Sequence, residues 1–210
     1  FIIVATRLFS VPNGAYFGRY FFASNDTEGI GAANANSAGR FGSTRKVQGM
    51  VHLTSTEGLV NGPSLHEIMH RWGNSLSSVP VAAQWAGHWG YSNIGGQLGG
   101  WRPGSLVSLG GGQYQARNPR TGELDDWGAN SNGGNALPYS PFELYLMGLI
   151  PAEEVGHDIK VANNFSWVNQ STGVFQASSI TTVSVNDIVA AEGSRSPTSV
   201  NSQKDFRILY

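Results

Sequence analysis

The chain has 210 residues, enough for one ordinary domain with a substantial core. Charged residues are only 13% and the net charge is −1, which excludes a basic nucleic-acid surface or attraction to an anionic membrane, and no apolar run is long enough to span a bilayer. Cysteine is absent, and Gly (28 residues), Asn and Ser accompany abundant aromatics, a composition suited to long ordered loops and commoner in secreted bacterial proteins than in cytosolic ones.

Residues 1–8 open with Phe1-Ile2-Ile3-Val4-Ala5, which reads as a strand because it is too short and lacks the basic lead of a signal peptide. With no initiator Met, the chain reads as a mature or excised piece whose export signal lay upstream. Two further strands, at residues 15–17 and 20–22, follow a Pro12-Asn13-Gly14 turn. A polar loop occupies 24–29, and residues 31–41 lack periodicity. Residues 47–53 alternate as a strand should, and its edge is expected to pair with an extended peptide.

Asn61-Gly62-Pro63-Ser64 then reads as a helix start, with Pro63 in the first turn, and Gly73-Asn74 as its stop. Leu65, Ile68, Met69 and Trp72 give this helix an apolar face. Between the two signals stands His66-Glu67-Ile68-Met69-His70. Side chains at i and i+4 stand above one another on an α-helix, so His66 and His70 can reach one metal ion. Glu67 lies about a quarter-turn away, within reach of a water on that ion. Two neutral imidazoles holding Zn²⁺, a water acidified to a pKa of about 7 and a carboxylate to take its proton form a hydrolytic centre. The competing reading makes Ser64 and Glu67 a capping box and leaves both histidines on an exposed face.

A catalytic zinc needs a third protein ligand. The metzincin extension HExxHxxGxxH is met at Gly73 but has Leu76 where the third His would stand, so the ligand must come from further along. Residues 74–138 are the least regular part. A short helix or loop at 79–90 ends in Gly87-His88-Trp89-Gly90, Gly-rich pieces follow, and a polar loop runs from Asp125-Asp126 through Asn135. So long a loop region is expected to form substrate walls. His88 is the preferred third ligand, because its small neighbours allow close backbone approach. Glu143 is the main rival, followed by Asp125 and Asp126; His52 and His157 lack supporting neighbours.

Ser140-Pro141-Phe142-Glu143 opens a second helix over 142–149, with Ser as cap and Glu at the third position. Met147 is either an apolar floor beneath the metal or core packing, and Tyr139 and Tyr145 are candidate oxyanion donors. Residues 164–186 read as strands, 185–192 as a short helix or turn, and 204–210 as a last strand. Neither a repeat nor an interdomain linker is visible, so residues 1–210 read as a single domain.

Residues 62–74, His88-Trp89, the run Tyr139 to Leu149, and the segments 187–193 and 205–207 resemble a group of exported bacterial zincin-type proteins that look like metallopeptidases. The resemblance covers most of the chain. It implies an α+β zincin-like fold, a twisted mixed sheet with an active-site helix and a second helix, and a zinc-dependent hydrolase. It leaves the substrate open. Oxygen-rich loops at 25–29 and 125–133 suggest structural Ca²⁺, against ordinary Asx turns as the alternative. Trp85, Trp89, Tyr91, Trp101, Tyr114 and Trp127 divide between core and cleft wall, which keeps a glycan-linked substrate or a glycan-binding module in view. The expectation is a secreted zinc endopeptidase acting on a polypeptide substrate, with His66, His70 and His88 on Zn²⁺ and Glu67 as base.

Overall fold

A computed structural model describes residues 1–6, 17–44, 46–73, 75–79, 87–131 and 134–205. The turn expected at Pro12-Asn13-Gly14, Trp85, most of the segment 79–90, Asn74, residues 132–133 and the final residues 206–210 lie outside the described residues. Lys204 and Asp205, at the start of the strand expected there, are not in a strand. The architecture is mixed α and β, with three α-helices and several small sheets among the described residues.

The sheet that positions the site has three strands. β1 (Ile2–Ala5) runs parallel to β5 (Gly49–Leu53), and β2 (Gly18–Phe22) runs antiparallel to β5 on its other side. The strand order β1-β5-β2 makes β5 central. Both edges of β5 are therefore occupied, and the free edge expected of this strand is not there. Burial in β5 alternates, with Gly49, Val51 and Leu53 inside, as the two-residue repeat of a strand requires. A short ribbon of β3 (Ser24–Asn25) and β4 (Ala35–Asn36) follows β2.

β5 feeds, through a 3₁₀ turn at Thr56–Leu59, into α1 (Ser64–Met69). Pro63 occupies the cap position and Ser64 begins the helix, one residue later than expected. The Ser64–Glu67 capping box is absent: the Ser64 hydroxyl donates to the Leu59 carbonyl at 3.4 Å. The helix has only six residues and unwinds through turns ending at Gly73, whose N–H reaches Met69 O.

α2 (Pro141–Met147) has the expected cap. Ser140 Oγ accepts from the Glu143 N–H, and Glu143 Oε2 accepts from the Ser140 N–H at 2.9 Å. It stops two residues earlier than expected, because Gly148 adopts a left-handed φ of 77° and donates back to Leu144 and Tyr145 carbonyls. α3 (Val185–Glu192) lies where the short helix was expected, with a capping box of Ser184 and Asp187.

The region expected to be least regular holds a hairpin. β6 (Val107–Gly110) and β7 (Gln113–Gln115) join β10 (Val174–Gln176) and β9 (Ser166–Asn169) in an antiparallel sheet of order β6-β7-β10-β9. Its turn uses Gly111 and Gly112 at φ of 59° and 77°, a backbone that side-chain-bearing residues resist. β8 (Ile159–Asn163) pairs with β11 (Ser179–Val183) and joins two cores. Its Ile159 and Val161 enter an aliphatic-aromatic core with Met69, Trp89, Leu98, Phe142 and Leu146. Ala162, on the opposite face, enters a second core with Trp101, Trp127 and Phe175. No helix among the described residues is long and apolar enough to cross a membrane.

Candidate metal centre

His66 and His70 sit one turn apart on and just after α1, and His88 lies against both. His66 Nε2 lies 3.2 Å from His70 Nε2 and 3.3 Å from His88 Nε2. All three ligating nitrogens fall within 4.8 Å of one another. Three corners of a tetrahedron with metal–nitrogen bonds of 2.0–2.1 Å stand about 3.3 Å apart, so the spacing fits one ion. The group contains His88 and none of Glu143, Asp125 and Asp126.

The electrostatics point the same way. Burial pushes His66 down to about 4, with the Gln97 carbonyl pulling upward and His88 adding to the drop. Burial, then His66 and His88, push His70 down to about 3. These imidazoles therefore stay neutral at ordinary pH with lone pairs facing one point, the protonation state a metal needs. His66 Nδ1 donates to the Gln97 carbonyl at 2.7 Å, which fixes the proton there and leaves Nε2 as the bare nitrogen. Three imidazoles suit zinc and other late first-row ions.

Glu67 is buried beside His66, and its carboxylate accepts the backbone N–H of Tyr20 on β2. Burial raises its pKa to about 7 and that single hydrogen bond pulls against the rise. A carboxyl poised near neutrality can both accept and return a proton. Space for it exists because residue 18 is glycine: a Cβ there would stand 2.8 Å from Glu67 Cγ and 2.9 Å from its Oε1. Neither Tyr20 nor Gly18 carries a sequence signal for this role beyond lying in a strand.

Several expected site residues are employed elsewhere. Glu143 is fully buried and its carboxylate accepts four N–H groups, so it is no member of the histidine group. Burial raises its pKa, and N–H groups of Leu98, Ser140, Gln97 and the Trp89 indole pull it down. Asp125 accepts from the Thr121 hydroxyl and Asp126 from the Gln170 amide. Tyr139 gives its hydroxyl proton to the Leu65 carbonyl at 2.9 Å, tying α2's approach to α1 instead of offering an oxyanion donor. Tyr145 is buried in the first core, and Met147 packs half-buried against it. His52 faces Thr6 across the β1–β5 pair at 3.4 Å, and His157 holds the Val155 carbonyl.

Trp89, Trp101 and Trp127 are core residues rather than cleft wall, while Tyr91 and Tyr114 pack half-buried against the second core. In the loop at 25–29 the Asn25 amide donates to the Thr27, Ala32 and Ala33 carbonyls and its Oδ1 accepts the Thr27 N–H. That is an Asx turn built on the Asn25 side chain, while the exposed Asp26 carboxylate lies 3.8 Å from Arg71. Comparison with protein-family models, with curated proteins and with solved structures yields no match to this chain.

Proposed function

We propose that the chain is a zinc-dependent endopeptidase of the exported bacterial zincin type. The observation that carries the reading is the trio of imidazole nitrogens at 3.2 and 3.3 Å, with Glu67, next to His66 on α1, holding a carboxyl with a pKa of about 7. Among the described residues the metal group has three members, which supports an open centre over a closed structural one. Zinc, when bound, supplies a Lewis acid and brings the pKa of its water to about 7.

The protein's own residues do the rest. His66, His70 and His88 present Nε2 lone pairs, and the Gln97 carbonyl holds the His66 proton on Nδ1. Glu67 takes the proton of the attacking water on its carboxylate and passes it to the leaving amine. β2 supports a polypeptide substrate. Among the described residues it is an antiparallel edge strand lying along α1, and its Tyr20 N–H reaches Glu67, so an extended peptide lying beside that edge would pass the carboxylate. The burial of Trp89, Trp101 and Trp127 removes them from any sugar-stacking wall and favours peptide over glycan.

Glu67→Gln is the test. The variant should hold zinc at near-stoichiometric occupancy by metal analysis, while chelator-sensitive digestion of a broad peptide library falls by orders of magnitude. Unchanged digestion would remove Glu67 from the mechanism.

A further inference from the structure

Glu143 is a buried carboxylate for which helix capping accounts for only one of four hydrogen bonds. Oε2 accepts the Ser140 N–H of its own helix start, but also the Gln97 N–H at 2.9 Å. Oε1 accepts the Leu98 N–H at 3.0 Å and the Trp89 indole N–H at 2.9 Å. No cation balances it in this set; every partner is an N–H dipole. Apart from Ser140, these partners belong to the two segments that adjoin His88 and His66. Gln97 is the residue whose carbonyl takes the His66 Nδ1 proton, and Trp89 follows His88 directly. The Trp89 backbone N–H also bonds the Leu98 carbonyl at 2.8 Å, which closes residues 89–98 into one loop held at both ends by the same carboxylate. The approach is close: a Cβ on Gly96 would fall 1.9 Å from Glu143 Oε2.

We propose that Glu143 is a positioning residue for the metal centre, its carboxylate fastening the segments at 88–89 and 97–98 that set the placement of His88 and the tautomer of His66. This inference rests on the metal-binding reading of the three histidines. It assigns Glu143 neither a place on the metal nor contact with substrate. The two-point attachment explains why a helix seven residues long, more than forty residues beyond the last ligand, is tied to the site. Outer partners of ligating histidines set ring orientation and basicity, and their loss typically weakens metal binding about 10–100-fold.

The experiment measures metal binding, not turnover. The full chain is stripped with chelator, then titrated with Zn²⁺ against a chromogenic competitor and with Co²⁺ for its visible absorption bands. In Glu143→Gln, either orientation of the amide turns an NH₂ toward two N–H donors, at Trp89 and Leu98 or at Gln97 and Ser140. The expected result is Zn²⁺ affinity lowered about 10–100-fold with an altered Co²⁺ spectrum. Ser140→Ala removes the cap hydroxyl, which accepts the Glu143 backbone N–H, and spares all four bonds of the carboxylate; it should lower the melting temperature and leave Zn²⁺ affinity at the parent value. Equal metal affinity in Glu143→Gln, or an equal loss in Ser140→Ala, overturns the proposal. Should Glu143→Gln not fold, Trp89→Phe deletes one of the four bonds beside His88, and a parent-like affinity and spectrum there overturn it. A parent chain that binds neither ion refutes the metal reading itself, and the inference with it.

Discussion

At Glu67 burial and one backbone N–H act in opposite directions on a single carboxyl group, and burial wins, bringing its pKa to about 7. The consequence for stability has a definite sign. In the unfolded chain the group ionises near its ordinary 4.5, so between 4.5 and about 7 the folded state holds the extra proton. The contribution of Glu67 to stability therefore falls as pH rises through that window. Metal-free Glu67→Gln should gain thermal stability relative to the metal-free parent on going from pH 4.5 to pH 8, as read by melting curves at both values; a constant difference would mean that the carboxyl is not perturbed. Gly18 acts on the same group sterically. Gly18→Ala forces its new methyl within 3 Å of Glu67 and Pro63 side chains, so the carboxylate must move. Turnover is expected to drop roughly 10²-fold while Zn²⁺ affinity stays near the parent value, because the histidines are untouched. Parallel losses of both would place the damage in α1 itself.

At the scale of elements, α1 is too short to be stable through its own hydrogen bonds. Its start is held from outside by Asn135. The side-chain amide of Asn135 donates to the Leu59 and Val60 carbonyls and to Ser64 Oγ, and its Oδ1 accepts the Leu65 N–H at 3.2 Å. Tyr139 holds the Leu65 carbonyl from the same side. Asn135→Ala should lower unfolding free energy by roughly 1–3 kcal/mol in denaturant titrations, with cooperative unfolding retained. A change below a few tenths would show that α1 is held by packing alone. The caps of α2 and α3 are written locally, as Ser-x-x-Glu and Ser-x-x-Asp, and α2's was read from the chain directly. At Ser64-x-x-Glu67, where a capping box was only the competing reading, the same pattern occurs one residue inside the helix and Glu67 turns to β2 instead. A cap pattern describes a local option, and tertiary contacts decide whether it is taken.

For the molecule as a whole, the candidate metal centre joins distant parts of the sequence. His66 and His70 belong to the segment after the three-stranded sheet, while His88 directly precedes the loop closed by Trp89 and Leu98, both residues of the first core. A ligand that binds only this folded arrangement stabilises it by mass action, about 2.7 kcal/mol when present at one hundred times its dissociation constant. Chelation of the zinc-loaded chain should thus lower the melting temperature by several degrees, with Zn²⁺ restoring it. His88→Ala should reduce that response sharply. An unchanged melting curve on chelation would separate the three histidines from any resident ion.

The sequence alone determined whatever depends on neighbours a few residues apart: the i, i+4 histidines on one helical face, the glycine turns, the α2 cap and the short helix at 185–192. His88 was singled out by its small neighbours as the residue to join His66 and His70, and the structure brings its Nε2 within 3.3 Å of His66 Nε2. Only the tertiary structure decided which strand edge faces α1, where Glu143 spends its carboxylate, and which tryptophans are core. The physical reason is that these depend on groups 20 to 50 or more residues apart meeting in space. Gln97 with His66, Tyr20 with Glu67 and Glu143 with Trp89 are pairings that no local pattern of residue types encodes.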